Sequence, residues 1–124
     1  MAKGQEDKQQ IGLTPTGDEA IQALIADGRF ASQADAYRFA ISYAIAAGLD
    51  PADAPQGGYN TKFNALGTLE SGSSIRDLID ILDIGETHRP FATAEKLAEL
   101  GVREVAGRLE GNESLADIMA GAPE

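Results

Sequence analysis

The fold is decided between Lys8 and Gly48, where the chain reads KQQIGLTPTGDEAIQALIADGRFASQADAYRFAISYAIAAG. At its start, apolar Ile11 and Leu13 alternate with residues that are polar or glycine. Alternation with a period of two predicts a short, half-buried strand, and Pro15 ends it because proline has no N–H for a strand ladder. Two helical patterns follow this strand.

The first helical pattern is predicted to begin at Thr16, whose hydroxyl forms a capping box with Glu19, and to end at Gly28. The second begins at another capping box, at Ser32, and continues to about Ala47. The first helix buries Ile21, Leu24 and Ile25; the second has Ala36, Phe39, Ala40, Tyr43 and Ala47 on one face and Tyr37, Ile41 and Ile45 on another. Two apolar faces require two packing partners, which favours an intertwined dimer.

The second part of the chain predicts a loop and more helices. Residues 51–73 are rich in glycine and proline, so they form a linker or an ordered loop, with a candidate short strand within Tyr59 to Leu69. A third capping box at Ser74 opens a helix of three turns. A fourth helix runs from Pro90 to about Glu110, and a last turn lies near 115–119.

The fourth helix carries a long apolar stripe. The residues in the stripe are Phe91, Ala94, Leu97, Ala98, Val102, Val105, Ala106 and Leu109. Gly101 and Gly107 interrupt it, and they indicate either close packing or a break into two helices.

These elements predict a mostly α protein: one short N-terminal strand and two helices that dimerise, plus two or three C-terminal helices. We expect a flexible tail at 1–7, a dimerisation domain at 8–50, the linker or loop at 51–73, and an acidic helical region at 74–120 packed on the first domain.

Composition limits the possible functions. The chain has 124 residues, no cysteine, and a net charge of −10 from 10 basic and 20 acidic residues. The absence of cysteine favours a reducing cytoplasm, and neither a secretory signal nor an apolar run long enough for a membrane is visible. Strong acidity disfavours a field that attracts nucleic acid, and it suits either solubility, with the extra Asp and Glu solvating helix faces, or a basic protein partner.

Residues 8–48 resemble the ribbon-helix-helix domain of ParD-type antitoxins and related small bacterial repressors. Three segments carry the resemblance: the strand exit Leu13-Thr14-Pro15, the joint Gly28-Arg29-Phe30-Ala31-Ser32, and the stripe from Ala36 to Ala44. The resemblance implies that two chains pair their strands antiparallel and that this ribbon enters the major groove of DNA. It covers about a third of the chain.

The resemblance also implies a set of DNA contacts. With Ile11 and Leu13 inward, the residues Lys8, Gln10, Gly12 and Thr14 point outward. Gln10 would hydrogen-bond to adenine, and Lys8 would contact guanine or phosphate. Thr14 would reach a base or a phosphate, whereas Gly12 has no side chain with which to read a base. Backbone amides at Ser32 and Gln33 would hold a phosphate, assisted by Arg29 and Arg38. The family's reading strand usually carries more polar or basic side chains than this one.

No pattern indicates catalysis or a metal. His88 is the single histidine, so an ordinary zinc site is excluded and a loop role is expected. The recurring carboxylates are interpreted as solvated helix faces in preference to the alternative, a weak divalent-cation site: Asp77, Asp80 and Asp83 in the third helix, and Glu95, Glu99, Glu110 and Glu113 further on. We therefore expect no enzyme activity, no metal and no cofactor.

Three hypotheses follow. The favoured one is a homodimeric DNA-binding regulator, either an antitoxin or an autorepressor. The second is an acidic protein-interaction module that keeps the fold without reading DNA and binds a basic, toxin-like partner. The third, an enzyme or metal protein using His88, has no positive support.

Overall fold

The computed structural model describes residues 9–26, 28, 30–55, 57–64, 79 and 90–110. Within these ranges the chain is mostly helical, with three α helices and a two-stranded antiparallel sheet. In chain order the elements are β1 (Gln10–Leu13), α1 (Pro15–Ala26), α2 (Gln33–Ala47), a 3₁₀ turn (Pro51–Asp53), β2 (Asn60–Asn64) and α3 (Pro90–Glu110).

Thr14, not Thr16, caps α1. The Thr14 hydroxyl oxygen accepts the backbone N–H of Gly17 at 3.1 Å, and its carbonyl oxygen accepts that of Asp18 at 2.7 Å. The predicted cap was wrong because Pro15, which has no N–H to leave unpaired, occupies the first helical position. The helix therefore begins directly after the strand.

The remaining predicted boundaries of these two helices are confirmed. Ser32 caps α2, and its Oγ accepts the backbone N–H of Asp35 at 3.1 Å. The helix ends at Ala47, followed by Gly48 in the left-handed conformation with φ 71°. Gly28, after α1, has a similar φ of 72°. Glycine suits both positions because it lacks the Cβ that makes this conformation costly.

β1 pairs antiparallel with β2 of the same chain. Ile11 faces Phe63 across the pair, and the register is irregular between Ile11 and Gly12. A Cβ on Gly12 would lie 1.6 Å from the carbonyl oxygen of Asn60, so only glycine permits this close approach. β2 confirms the candidate strand predicted in this part of the chain.

α3 runs unbroken through both of its glycines and packs against α2, α1 and β1. A Cβ on Gly101 would lie 2.2 Å from the carbonyl oxygen of Ala40, so close packing is the role of this glycine. α3 thereby gives α2 its second packing partner from within the same chain. Among the described residues, the apolar side chains larger than alanine that are fully buried are Ile11, Leu13, Ile21, Leu24, Tyr37, Ile41, Tyr43, Ile79, Leu97, Val102 and Val105.

Several predicted features lie outside the described residues. They are the tail 1–7, Lys8, Arg29, His88, Glu113 and the turn near 115–119. The predicted third helix also lies outside them, apart from Ile79, which is buried. Among the described helices, none is both long enough and apolar enough to cross a membrane.

Candidate functional site

The predicted DNA contacts fall on separate elements. Gln10 is exposed on β1, whereas Ser32 is exposed at the N-terminus of α2 with Gln33 partly buried beside it. Within the described ranges, no hydrogen bond connects Gln10 to the α2 pair. Lys8 and Arg29 are not among the described residues.

Thr14 does not project outward as predicted. Its side chain is only 6% exposed, and its hydroxyl donates a hydrogen bond to Glu99. The strand alternation fails at this residue because Thr14 has already left β1 and caps α1. Its hydroxyl is therefore not at the surface, where a base could reach it.

Side chains from α2 and α3 bond to backbone groups of β1, and of Thr14 directly after it, that the partner strand does not use. The N–H of Gly12 donates to Oε2 of Glu95 at 2.8 Å, and its carbonyl oxygen accepts the hydroxyl of Tyr37 at 3.0 Å. The N–H of Thr14 donates to Oε1 of Glu99 at 3.0 Å. Groups of this kind on an edge strand are otherwise open to pairing with another strand. Glu95 and Glu99 thus close the second edge of β1.

Glu99 is a fully buried carboxylate whose hydrogen bonds are satisfied. Its exposure is 0%, and its Oε2 accepts the Thr14 hydroxyl at 2.5 Å and Nε of Arg103 at 2.7 Å. The Arg103 side chain is 38% exposed, so the ion pair reaches from the core to the surface. Burial of a carboxylate is tolerated only with partners of this kind. We call Glu95, Glu99, Thr14, Tyr37 and Arg103 the carboxylate cluster.

Tyr37, within the cluster, and Tyr59, which feels the charges of its carboxylates, both stay protonated at neutral pH. Burial raises the pKa of Tyr37 well above its ordinary value, and the charges of Glu95 and Glu99 raise it further. Burial also raises the pKa of Tyr59, again with a contribution from both carboxylates. The Tyr59 hydroxyl donates to the carbonyl oxygen of Pro55 at 2.8 Å. Both tyrosines therefore serve as hydrogen-bond donors at neutral pH.

The carboxylate cluster has a structural role in this fold. Glu95 is 3% exposed and Glu99 is 0% exposed, so neither carboxylate is open to a solute. The prediction that both lie on a solvated face was wrong. A signal was present, because Glu95 stands four residues after Phe91 and three before Ala98, inside the apolar stripe of α3.

An accessible pocket also borders α3. A cavity of about 340 Å³ is lined by Leu49 after α2, Asp53 in the 3₁₀ turn, and Leu100, Arg103 and Glu104 on α3. The two leucines give the cavity an apolar wall, and Asp53 and Glu104 are exposed. We call this cavity the acidic pocket.

Neighbouring side chains form hydrogen bonds and one ion pair with the charged residues of the acidic pocket. The Glu104 Oε2 accepts the hydroxyl of Tyr43 at 2.8 Å, and Arg108 Nη1 donates to that hydroxyl at 3.1 Å. Arg103 is bound to Glu99, which offsets its charge. Within the described part of the chain, no salt bridge joins Asp53 or Glu104 to a cation. Two carboxylates therefore dominate the rim.

The described residues hold no group of three or more His, Cys, Asp or Glu side chains arranged to bind a metal ion. Comparison with protein-family models, curated proteins and solved structures found no match to the chain.

Proposed function

We propose that this chain is a cytoplasmic protein-interaction module whose partner is a basic protein. One observation carries the proposal: within the described ranges every basic side chain is engaged inside the chain, whereas several carboxylates face solvent. The engaged side chains are Arg38, Lys62, Lys96, Arg103 and Arg108, and the exposed carboxylates are Glu19, Asp50, Asp53 and Glu104.

The net charge supports a basic partner. At −10 the chain repels phosphate and attracts a positively charged surface, which speeds association at low ionic strength. The β1 surface adds little for DNA, because Gly12 has no side chain and Thr14 is buried. Among the described residues that were predicted to point outward from this strand, Gln10 alone has an exposed side chain.

The test is recovery of the partner from the native host. The tagged full chain is purified at low ionic strength after nuclease treatment, and the retained proteins are identified and then purified for titration. We expect a strongly basic protein that binds directly and whose affinity falls as salt is raised. Retention of nucleic acid alone, with no protein that binds in titration, contradicts the proposal.

A homodimeric ribbon-helix-helix regulator that binds DNA is the second candidate. The order of β1, α1 and α2, with their short joint, favours it. In such a dimer two β1 strands pair, which requires Glu95 and Glu99 to release the N–H groups of Gly12 and Thr14.

The second candidate has its own test. It predicts salt-dependent binding to DNA from the chain's own promoter region, lost when Lys8→Ala and Gln10→Ala are combined. Arg108→Ala is the matched control, because it removes a cation on α3 that is bound to the Tyr43 hydroxyl and lies outside the predicted DNA contacts. Binding that survives the double substitution excludes the ribbon as the reader of sequence.

A further inference from the structure

We propose that the acidic pocket receives a lysine or arginine side chain of the basic partner. This inference depends on the proposed function for its biological meaning, but the pocket can be tested on its own. The pocket has an apolar wall from Leu49 and Leu100 and a rim with the carboxylates of Asp53 and Glu104. Long basic side chains have the same two parts, an apolar stem and a charged head.

The charge on the rim is available for such a head group. Among the described lining residues Arg103 is the one cation, and its guanidinium is 2.5 Å from the Glu99 carboxylate, so its charge is already paired. Glu104 accepts a hydrogen bond from Tyr43 through Oε2, which orients its carboxylate without neutralising it. The field at the rim is therefore negative, and it complements a cation.

The elements that form the pocket are fixed in place. Asp50 caps the 3₁₀ turn by accepting the N–H of Ala52 at 2.9 Å, and the turn closes with Ala54 N–H donating to Pro51 at 3.0 Å. This turn packs against α3. A preformed pocket of this kind loses less free energy on binding than a surface that must be ordered first.

The experiment uses the full chain, labelled with ¹⁵N, and two probes of matched shape. Nα-acetyl-arginine amide carries the cation, whereas Nα-acetyl-citrulline amide replaces the guanidinium by a neutral urea. We expect the arginine probe to shift the amide signals of Leu49, Asp53 and Leu100 saturably, with an affinity of about millimolar. The citrulline probe should shift them much less.

Substitutions locate the site. Asp53→Asn and Glu104→Gln each should weaken the arginine probe about threefold to fivefold, and together about tenfold. Glu104→Gln keeps an oxygen that accepts the Tyr43 hydroxyl, so the pocket stays formed. Glu19→Gln is the matched control, because it removes an exposed carboxylate on α1 and should leave binding unchanged.

The outcomes separate this inference from the proposed function. Equal binding of both probes, or arginine binding that the double variant retains, overturns the pocket as a cation site. If a basic partner is recovered but binds the double variant as tightly as the wild type, the pocket inference fails and the proposed function stands. If the probe behaves as expected and no basic partner is recovered, the proposed function fails and the cation site stands.

Discussion

Glu99 is a charged side chain that the fold surrounds with hydrogen-bond donors. Thr14 donates to it through both its N–H and its hydroxyl, and Arg103 donates through its guanidinium. The Thr14 hydroxyl in turn accepts the N–H of Gly17 in the first turn of α1. One carboxylate on α3 thus fixes both the end of β1 and the cap of α1.

Removal of this carboxylate should be costly. In Glu99→Ala, the buried N–H of Thr14 loses its acceptor and its hydroxyl loses its charged partner, so we expect a loss of about 3 kcal/mol in the free energy of unfolding. Urea denaturation of the variant and the wild type measures this loss in the free energy of unfolding. Glu19→Ala, at an exposed position, should change stability by less than about 0.5 kcal/mol. Similar effects for the two substitutions would show that the carboxylate cluster does not hold the fold.

Tyr37 gives the stability of the protein a dependence on alkaline pH. Because its pKa in the folded state is raised, the folded protein keeps a proton that the unfolded chain releases above about pH 10. The stabilisation is therefore complete below pH 10 and declines as pH rises toward the folded-state pKa.

Tyr37→Phe isolates this effect. It removes the hydrogen bond to the carbonyl oxygen of Gly12, so we expect a loss of about 1–3 kcal/mol at pH 7. The difference from the wild type should narrow above pH 10, by at most about 1.4 kcal/mol per pH unit. Chemical denaturation from pH 7 to 11 measures both quantities. A difference that stays constant over this range would contradict the assigned pKa direction.

At the scale of elements, local signals predicted the helices well. α2 matches its prediction because the Ser32 cap and Gly48 define its ends within the sequence itself. The partner of β1 was not predictable in the same way, since alternation shows which face of a strand is buried but not which strand pairs with it. β2 lies about fifty residues further along the chain.

The second apolar face of α2 illustrates the same limit. A pattern of two faces requires two partners, and a second chain satisfies that requirement as well as α3 does. The carboxylate cluster was missed for a related reason: Glu95 and Glu99 look like solvated residues until the strand that they close is known. Only contacts between distant elements reveal their role.

Two glycines of α3 allow a matched comparison. Gly101→Ala should destabilise the protein, because the new Cβ would lie 2.2 Å from the backbone of Ala40 and force α2 and α3 apart. Gly107→Ala has open space around the new Cβ, so it should stabilise by up to about 1 kcal/mol through helix propensity. Thermal unfolding of both variants measures the difference. Stabilisation by both would contradict the close crossing at Gly101.

At the scale of the whole molecule, β1, α1, α2 and α3 form one packed unit. α3 covers the second face of α2 and closes the edge of β1 that a shared ribbon would need. Under the proposed function, the excess of carboxylates favours positively charged partners over phosphate. The central claim is that β1 is closed by its own chain.

Isotope-filtered NOE spectroscopy on an equimolar mixture of labelled and unlabelled chains tests that claim most directly. We predict that β1 gives contacts within one chain, between Ile11 and Phe63 and between Gly12 and Thr61, and none to β1 of another chain. Intermolecular contacts between two β1 strands would contradict the account and favour the dimeric, DNA-binding ribbon.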